Sequence, residues 1–387
     1  MVVERPRYEG ESIVNLMASV IVAGGGESAY PVLEGLDVEK LRNARSVILI
    51  VVDGLGYEHL CSCDGAPAMR RHLKQKMTTV FPPTTATAVT TFLTGLAPQQ
   101  HGLTGWFVHF GELGSVIRVL PFTTRLGSIA LESVGVRASE LFGHTAVFDR
   151  LDRATYSVSP ARIAHSAFNR SHSGGARVKP YETLEEFFVT IETIAKAEGR
   201  ARFVYAYWPE LDHLAHLEGV GSQVVTSHLA ELDAGFAGLL EAIEGTDSVV
   251  MLTADHGFVD IAPDRLLNLA DHPELSELLS LPLCGEPRTA YCYVSPGRSA
   301  DFLAYVEREL GHCAVCVPSQ ELIAGGYFGP GAAHPRLIDR VGHYTLLMRE
   351  GYAIQDALPG EERFAPVGLH GGGTSAELHV PLVLAEA

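Results

Sequence analysis

At 387 residues, 47% of them apolar, the chain can bury a large core and exceeds the usual size of one domain, so one elaborated globular domain or a core with a cap is expected. The 29 basic against 46 acidic residues give a formal net charge of −17, and with no Lys/Arg run this excludes a track for a nucleic-acid polymer or an acidic membrane surface. A small anionic substrate is still admitted where bound cations reverse the local field.

In chain order, the apolar stretch 13–23 follows Glu4, Glu9 and Glu11 rather than a basic region, and Asn15 and Ser19 interrupt it. It is therefore read as an amphipathic core helix and not as a signal peptide. No apolar run is long enough to span a bilayer, and a cytoplasmic location is expected. Residues 46–52 form a nearly continuous β-branched run that ends in Asp53-Gly54, the pattern of a strand covered on both faces. Residues 64–76 read as a helix. A hydroxyl-rich stretch at 78–95 then crosses Phe81-Pro82-Pro83-Thr84-Thr85, and a helix is predicted over 86–94.

From 102 to 180 the pattern loosens into aromatic and Gly-rich pieces, so residues from about 103 to 180 are expected to form a substrate-side insertion within a single domain spanning 1–387. Alternation then resumes with a helix at 183–197, a strand at 203–207, a helix at 222–243, a strand at 248–253 and a last strand at 380–384. Strands alternating with helices imply an α/β fold with a mainly parallel central sheet and helices on both faces. Cys61, Cys63, Cys284, Cys292, Cys313 and Cys316 fit buried thiols in a reducing compartment. Cys313 and Cys316 have CxxC spacing, but a strand there points them to opposite faces and no second pair exists.

In such sheets chemistry gathers where strands end at their carboxyl edge. Asp53 ends the first strong strand, Asp255-His256-Gly257 follows the 248–253 strand, and Asp212 lies just past the 203–207 strand. Asp212 and His216, at i and i+4, share a helix face and can grip one metal, whereas His213 is turned away. His370 sits in the Gly-rich loop 368–373. Each piece alone also fits an ordinary turn, cap or ion pair, and their conjunction is what points to a metal site. Several threonines of the 78–95 stretch are candidates for a presented alcohol. An alcohol is a poor nucleophile at neutral pH unless a metal or base lies beside it and a helix N-terminus faces it.

Asp53-Gly54, Phe81-Pro82-x-x-Thr85, Leu93-Thr94-Gly95 with Pro98 and His101-Gly102, Asp212-x-x-x-His216-x-x-Gly219, Asp255-His256-Gly257 and His370-Gly371 occur in an order that resembles the alkaline phosphatase superfamily, most of all its nucleotide pyrophosphatase/phosphodiesterase (type I phosphodiesterase) branch. The resemblance covers roughly residues 45–385. It implies two zinc ions, one held by Asp212, His216 and His370, the other by Asp53, Asp255 and His256 with Thr85 bound to it. The mixed carboxylate and imidazole set also admits manganese or iron. The implied reaction is hydrolysis of a phosphodiester or pyrophosphate bond in a small, nucleotide-like anion through a covalent phospho-threonine on Thr85. By the same resemblance a side-chain amide is expected three residues beyond the nucleophile, where this chain has Ala88.

The alternative activity is that of a phosphomonoesterase, which needs further cationic groups. Arg118, Arg125, Arg137, Arg150, Arg153 and Arg162 are the candidates for these. A metal-stabilised binding protein is the non-catalytic alternative. Trp106, Phe107, Phe110 and Trp208 could wall a nucleobase or serve as packing.

Overall fold

The computed structural model describes residues 3–361 and 365–387. The β-branched run forms the strand Ser46–Val52, buried at every position. It pairs in parallel with Arg202–Trp208 on one side and Ser248–Thr253 on the other. These three strands are the middle of a seven-stranded sheet with the order Leu73–Thr78, His379–Glu386, Ser248–Thr253, Ser46–Val52, Arg202–Trp208, Ala154–Pro160, Arg177–Tyr181. His379–Glu386 runs antiparallel to both of its neighbours, while the pairings from Ser248–Thr253 across to Arg177–Tyr181 are parallel. The α/β class stands, and the large sheet is mixed.

A second seven-stranded sheet, unforeseen in the sequence, is wholly antiparallel. Its order is Ala314–Pro318, Tyr344–Met348, Thr289–Cys292, Cys284–Glu286, Phe107–Phe110, Ser115–Arg118, Thr123–Thr124. The 103–180 stretch thus divides between the sheets. Its first part supplies the last three strands of the antiparallel sheet, and its later part supplies Ala154–Pro160 and Arg177–Tyr181 to the mixed one.

The helix expected over 64–76 is instead one short helix, Pro67–Arg71, followed by the strand Leu73–Thr78, with another short helix, Tyr57–Ser62, before that range. In that strand Leu73, Gln75 and Met77 are less exposed than Lys74 and Lys76, a period-two pattern. Ladder bonds to His379–Glu386 override the helix propensity of its Lys, Gln and Met residues. The helix Ile13–Ala23 forms as expected but is buried nearly all round rather than amphipathic. Its polar positions tie down the preceding and following chain: Asn15 Nδ2 donates to the carbonyls of Tyr8 (2.8 Å) and Pro31 (2.9 Å), and Ser19 Oγ accepts from Leu33 N (2.8 Å). The six cysteines are free thiols; four are buried as expected, but Cys316 is half-buried and Cys61 is exposed. Among the described residues no helix is long and apolar enough to cross a membrane.

Candidate active site and metal centre

The three central strands deliver the site. Strand Ser46–Val52 ends at Asp53, where Gly54 turns the chain with φ +78°. A side chain at Gly54 would meet Phe258 at 2.6 Å and the Asp212 backbone at 3.2 Å, so glycine lets these segments approach. Strand Arg202–Trp208 leads directly into the helix Glu210–Glu218, which carries Asp212 and His216, and strand Ser248–Thr253 leads to Asp255 and His256. His370 follows the short strand Gly368–Leu369, which pairs antiparallel with Val259–Asp260. Because neighbouring parallel strands end side by side, residues far apart in sequence converge on one edge.

Six of these side chains fall into two groups, Asp53 with Asp255 and His256, and Asp212 with His216 and His370. Within each group one ligand atom per residue lies within 4.8 Å of the others. His256 Nε2 is 3.2 Å from Asp53 Oδ1 and 3.6 Å from Asp255 Oδ2. Asp212 Oδ1 is 3.4 Å from His216 Nε2 and 3.8 Å from His370 Nε2, and it also comes within 3.9 Å of His256 Nε2, so the groups adjoin. His213 is exposed and joins neither.

Among the described residues, Asp53 Oδ1, Asp255 Oδ2 and Asp212 Oδ1 are buried without a hydrogen-bond donor, a costly arrangement unless a cation takes up their lone pairs. Around them the outer contacts are satisfied. Tyr207 Oη donates to Asp53 Oδ2, and the N–H groups of Gly54 (3.1 Å) and His256 (3.0 Å) donate to Asp255 Oδ1. His216 Nδ1 lies 2.8 Å from Gly368 O and His256 Nδ1 lies 3.2 Å from Gly257 O. Those contacts place the proton on Nδ1 and turn the Nε2 lone pair to the carboxylates, the tautomer a metal ligand requires.

Burial pushes Asp53 and Asp255 well above the usual carboxylate range, with Asp212 acting further on the first and Asp53 on the second. Burial pushes Asp212 up to about 7 and His216 down to about 4, and it holds His370 well below its usual value, with His256 and His216 adding to the effect. A set of acids that resist ionising beside imidazoles that resist protonation lacks one thing, positive charge. The residues present fit divalent cations in both groups.

Thr85 opens the helix Thr85–Thr94, with Thr84 as its extended N-cap. Thr85 Oγ1 is 3.2 Å from His256 Nε2, which puts it at the first group. Thr84 O receives the N–H groups of Thr87 (3.1 Å) and Ala88 (2.9 Å), while those of Thr85 and Ala86 belong to the open first turn. The Ala88 side chain is fully buried and belongs to the main core. His101 is likewise structural, with Nδ1 accepting from Leu103 N (3.1 Å) and Nε2 3.3 Å from Thr91 Oγ1.

Five of the six arginines are engaged elsewhere. Arg118 and Arg125 pair with Glu361, Arg125 also with Asp356, and Arg137 with Glu140. Arg150 and Arg153 donate to backbone carbonyls. Arg162, with Tyr181, Trp208 and Glu210, lines a cavity of about 300 Å³ at the start of the Asp212 helix. Phe110 is buried, and Trp208 is stacked between Tyr181 and His228, which leaves Trp106 and Phe107 as the half-exposed members of the aromatic set. A residue that no motif marked, Glu286, enters from the antiparallel sheet and accepts from Thr84 Oγ1 at 2.6 Å and Trp106 N at 2.7 Å.

No curated protein matches the chain. Its fold is similar to that of murine ectonucleotide pyrophosphatase/phosphodiesterase 5, with a TM-score of 0.64 and 18% identity over 87% of each chain. The human protein of the same name gives 0.63 and 15% over 87% of each chain. Phosphonoacetate hydrolase from Sinorhizobium meliloti 1021, solved with phosphonoformate, gives 0.60 and 17% over 88% of this chain and 90% of that one. At these identities the likeness is one of fold. A sequence profile carries the relationship further, matching residues 47–372, a span that holds Asp53, Thr85, Asp212, His216, Asp255, His256 and His370. The chain therefore belongs to the type I phosphodiesterase/nucleotide pyrophosphatase family of hydrolases.

Proposed function

We propose that the protein hydrolyses a phosphodiester or pyrophosphate bond in a small, nucleotide-like anion, with Thr85 as nucleophile and two divalent cations, zinc by preference, in the two ligand groups. The observation that carries this reading is the convergence of a helix-opening threonine with two adjoining carboxylate–imidazole groups whose buried oxygens lack donors. Bound there, the cations supply Lewis acidity and lower the pKa of a coordinated alcohol or water. Thr85 Oγ forms a bond to phosphorus as the bond to the leaving oxygen breaks, and water then cleaves the phospho-threonine. The open N–H groups of Thr85 and Ala86 donate to the phosphoryl oxygens from a ten-residue helix whose dipole favours negative charge.

The relatives' ligands agree in class. An inactive Thr-to-Ala variant of the murine protein is solved with AMP, and the phosphonoacetate hydrolase with phosphonoacetate. The cytoplasmic reading is kept as a proposal on the six free thiols, although the murine and human proteins of similar fold are ectoenzymes by name. The decisive experiment is a substrate panel on the metal-loaded protein comparing a bis-aryl phosphate, an aryl nucleotide diester, a dinucleotide pyrophosphate and an aryl monoester. Turnover of the first three is expected. A monoester preferred by orders of magnitude would overturn the diesterase reading, and no turnover of any substrate would leave a metal-stabilised binding protein.

A further inference from the structure

Glu286 ends the strand Cys284–Glu286 of the antiparallel sheet and is 7% exposed. Its Oε1 takes both the Thr84 hydroxyl (2.6 Å) and the Trp106 N–H (2.7 Å), while Oε2 has no protein donor among the described residues. Thr84 immediately precedes Thr85. On its other side Glu286 lies against Gly371, the residue after His370, where an added Cβ would come within 2.7 Å of the Glu286 Cβ. The carboxylate is thus wedged between the cap of the nucleophile helix and the loop of a metal-facing histidine.

Two donors to one oxygen hold the ionised form in place. Among the described residues no lysine or arginine pairs with Asp53, Asp212, Asp255 or Glu286. Two divalent cations at the ligand groups would carry +4 against the −3 of Asp53, Asp212 and Asp255, leaving +1. Glu286, which no lysine or arginine pairs among the described residues, cancels that remaining charge in a water-poor site where charges interact strongly, so a dianion meets no surplus positive charge there.

We infer that Glu286 is a specificity-determining residue, placed so that its charge disfavours the dianionic phosphoryl group of a monoester and leaves the singly charged phosphorus of a diester as the preferred centre. Discrimination by a repulsive group against the competitor is as effective as added attraction for the substrate. The inference rests on the phosphoryl-transfer reading above.

The test compares kcat/KM for an aryl phosphodiester and an aryl phosphomonoester with the same leaving group, on metal-loaded wild type and Glu286→Gln. Burial pushes Glu286 up to about 7, so the assay is run at about pH 9, where it is ionised. The amide keeps an oxygen for Thr84 and Trp106 while removing the charge. The monoester-to-diester ratio is expected to rise by about tenfold or more. A purely structural clamp would lower both rates together, and an unchanged ratio in an active enzyme would overturn the inference alone. A wild type that turns over neither substrate would overturn the phosphoryl-transfer reading and the inference with it. If Glu286→Gln does not fold, inhibition of the wild type by phenylphosphonate and by its monoethyl ester decides. The singly charged ester is expected to bind more tightly, and tighter binding of the dianion would overturn the proposal.

Discussion

Thr85 is distinguished from its neighbours by what each hydroxyl touches. The Thr84 hydroxyl is committed to Glu286, and the Thr87 hydroxyl is buried without a partner among the described residues, whereas Thr85 Oγ1 lies beside His256. Thr85→Ala is therefore expected to lower kcat by about a thousandfold or more while both metals still bind, and Thr84→Ala and Thr87→Ala to cost far less. Metal analysis with steady-state kinetics checks this, and a Thr84 variant as dead as the Thr85 variant would identify a different nucleophile. Tyr207 acts one step further out. Its hydroxyl occupies Asp53 Oδ2, which leaves Oδ1 to face His256. Tyr207→Phe should weaken zinc binding at the Asp53 group by about 10- to 100-fold in a chelator competition, with the second group unchanged. The seven residues named from motifs are legible through the order of those motifs along the chain, since local pattern alone leaves each with an ordinary reading and leaves several threonines open. Tyr207 and Glu286 are not, since a tyrosine in a strand and a lone glutamate at a strand end carry no signal until their partners are known.

At the level of elements, the Asp255-His256-Gly257 turn is held by backbone approach. A Cβ on Gly257 would lie 2.0 Å from Ala376 O and 2.9 Å from Gly56 Cα, and neither backbone atom can step aside as a flexible side chain can. Gly257→Ala should destabilise the fold by about 2 kcal/mol or more and lower metal occupancy. Thermal melts with metal analysis would show both. A second device joins three short elements: His101 ends the helix Pro98–His101, His172 ends Ala167–His172, and His144 follows Ala138–Phe142. His144 lies with ring centroids 6.1 Å from His101 and 5.8 Å from His172. Burial lowers His144 to about 3 and His172 to about 4, so both are neutral in the folded protein and charge on unfolding below the ordinary value of 6.5. Their contribution is whole above that value and is lost as pH falls toward the folded values. His172→Phe removes one such group. The difference in melting temperature, variant minus wild type, should therefore rise between pH 7.5 and pH 5, and a flat difference would show that His172 does not titrate in this way.

Across the whole molecule, the candidate site lies where the mixed sheet, the helix Thr85–Thr94 and the antiparallel sheet meet, so the cations proposed there would bind the folded chain and not the unfolded one. Zinc or manganese should raise the melting temperature, and chelation should lower it and abolish hydrolysis until metal is restored. Hydrolysis that survives complete metal removal would sink the two-cation reading. The strands Ser46–Val52, Arg202–Trp208 and Ser248–Thr253 were visible in the sequence because burial on both faces demands unbroken apolar runs. Leu73–Thr78 was misread because its helix-favouring residues are overruled by pairing with a strand about 300 residues later. By itself the sequence determined the α/β class and, through the order of its motifs, the candidate metal-ligating side chains and the candidate nucleophile Thr85, since strand–helix alternation and motif order are both read along the chain. Only the tertiary structure decided the mixed sheet, the antiparallel sheet and the placement of Glu286 beside Thr84, because strand order and cross-chain contact come from long-range pairing that no local period encodes.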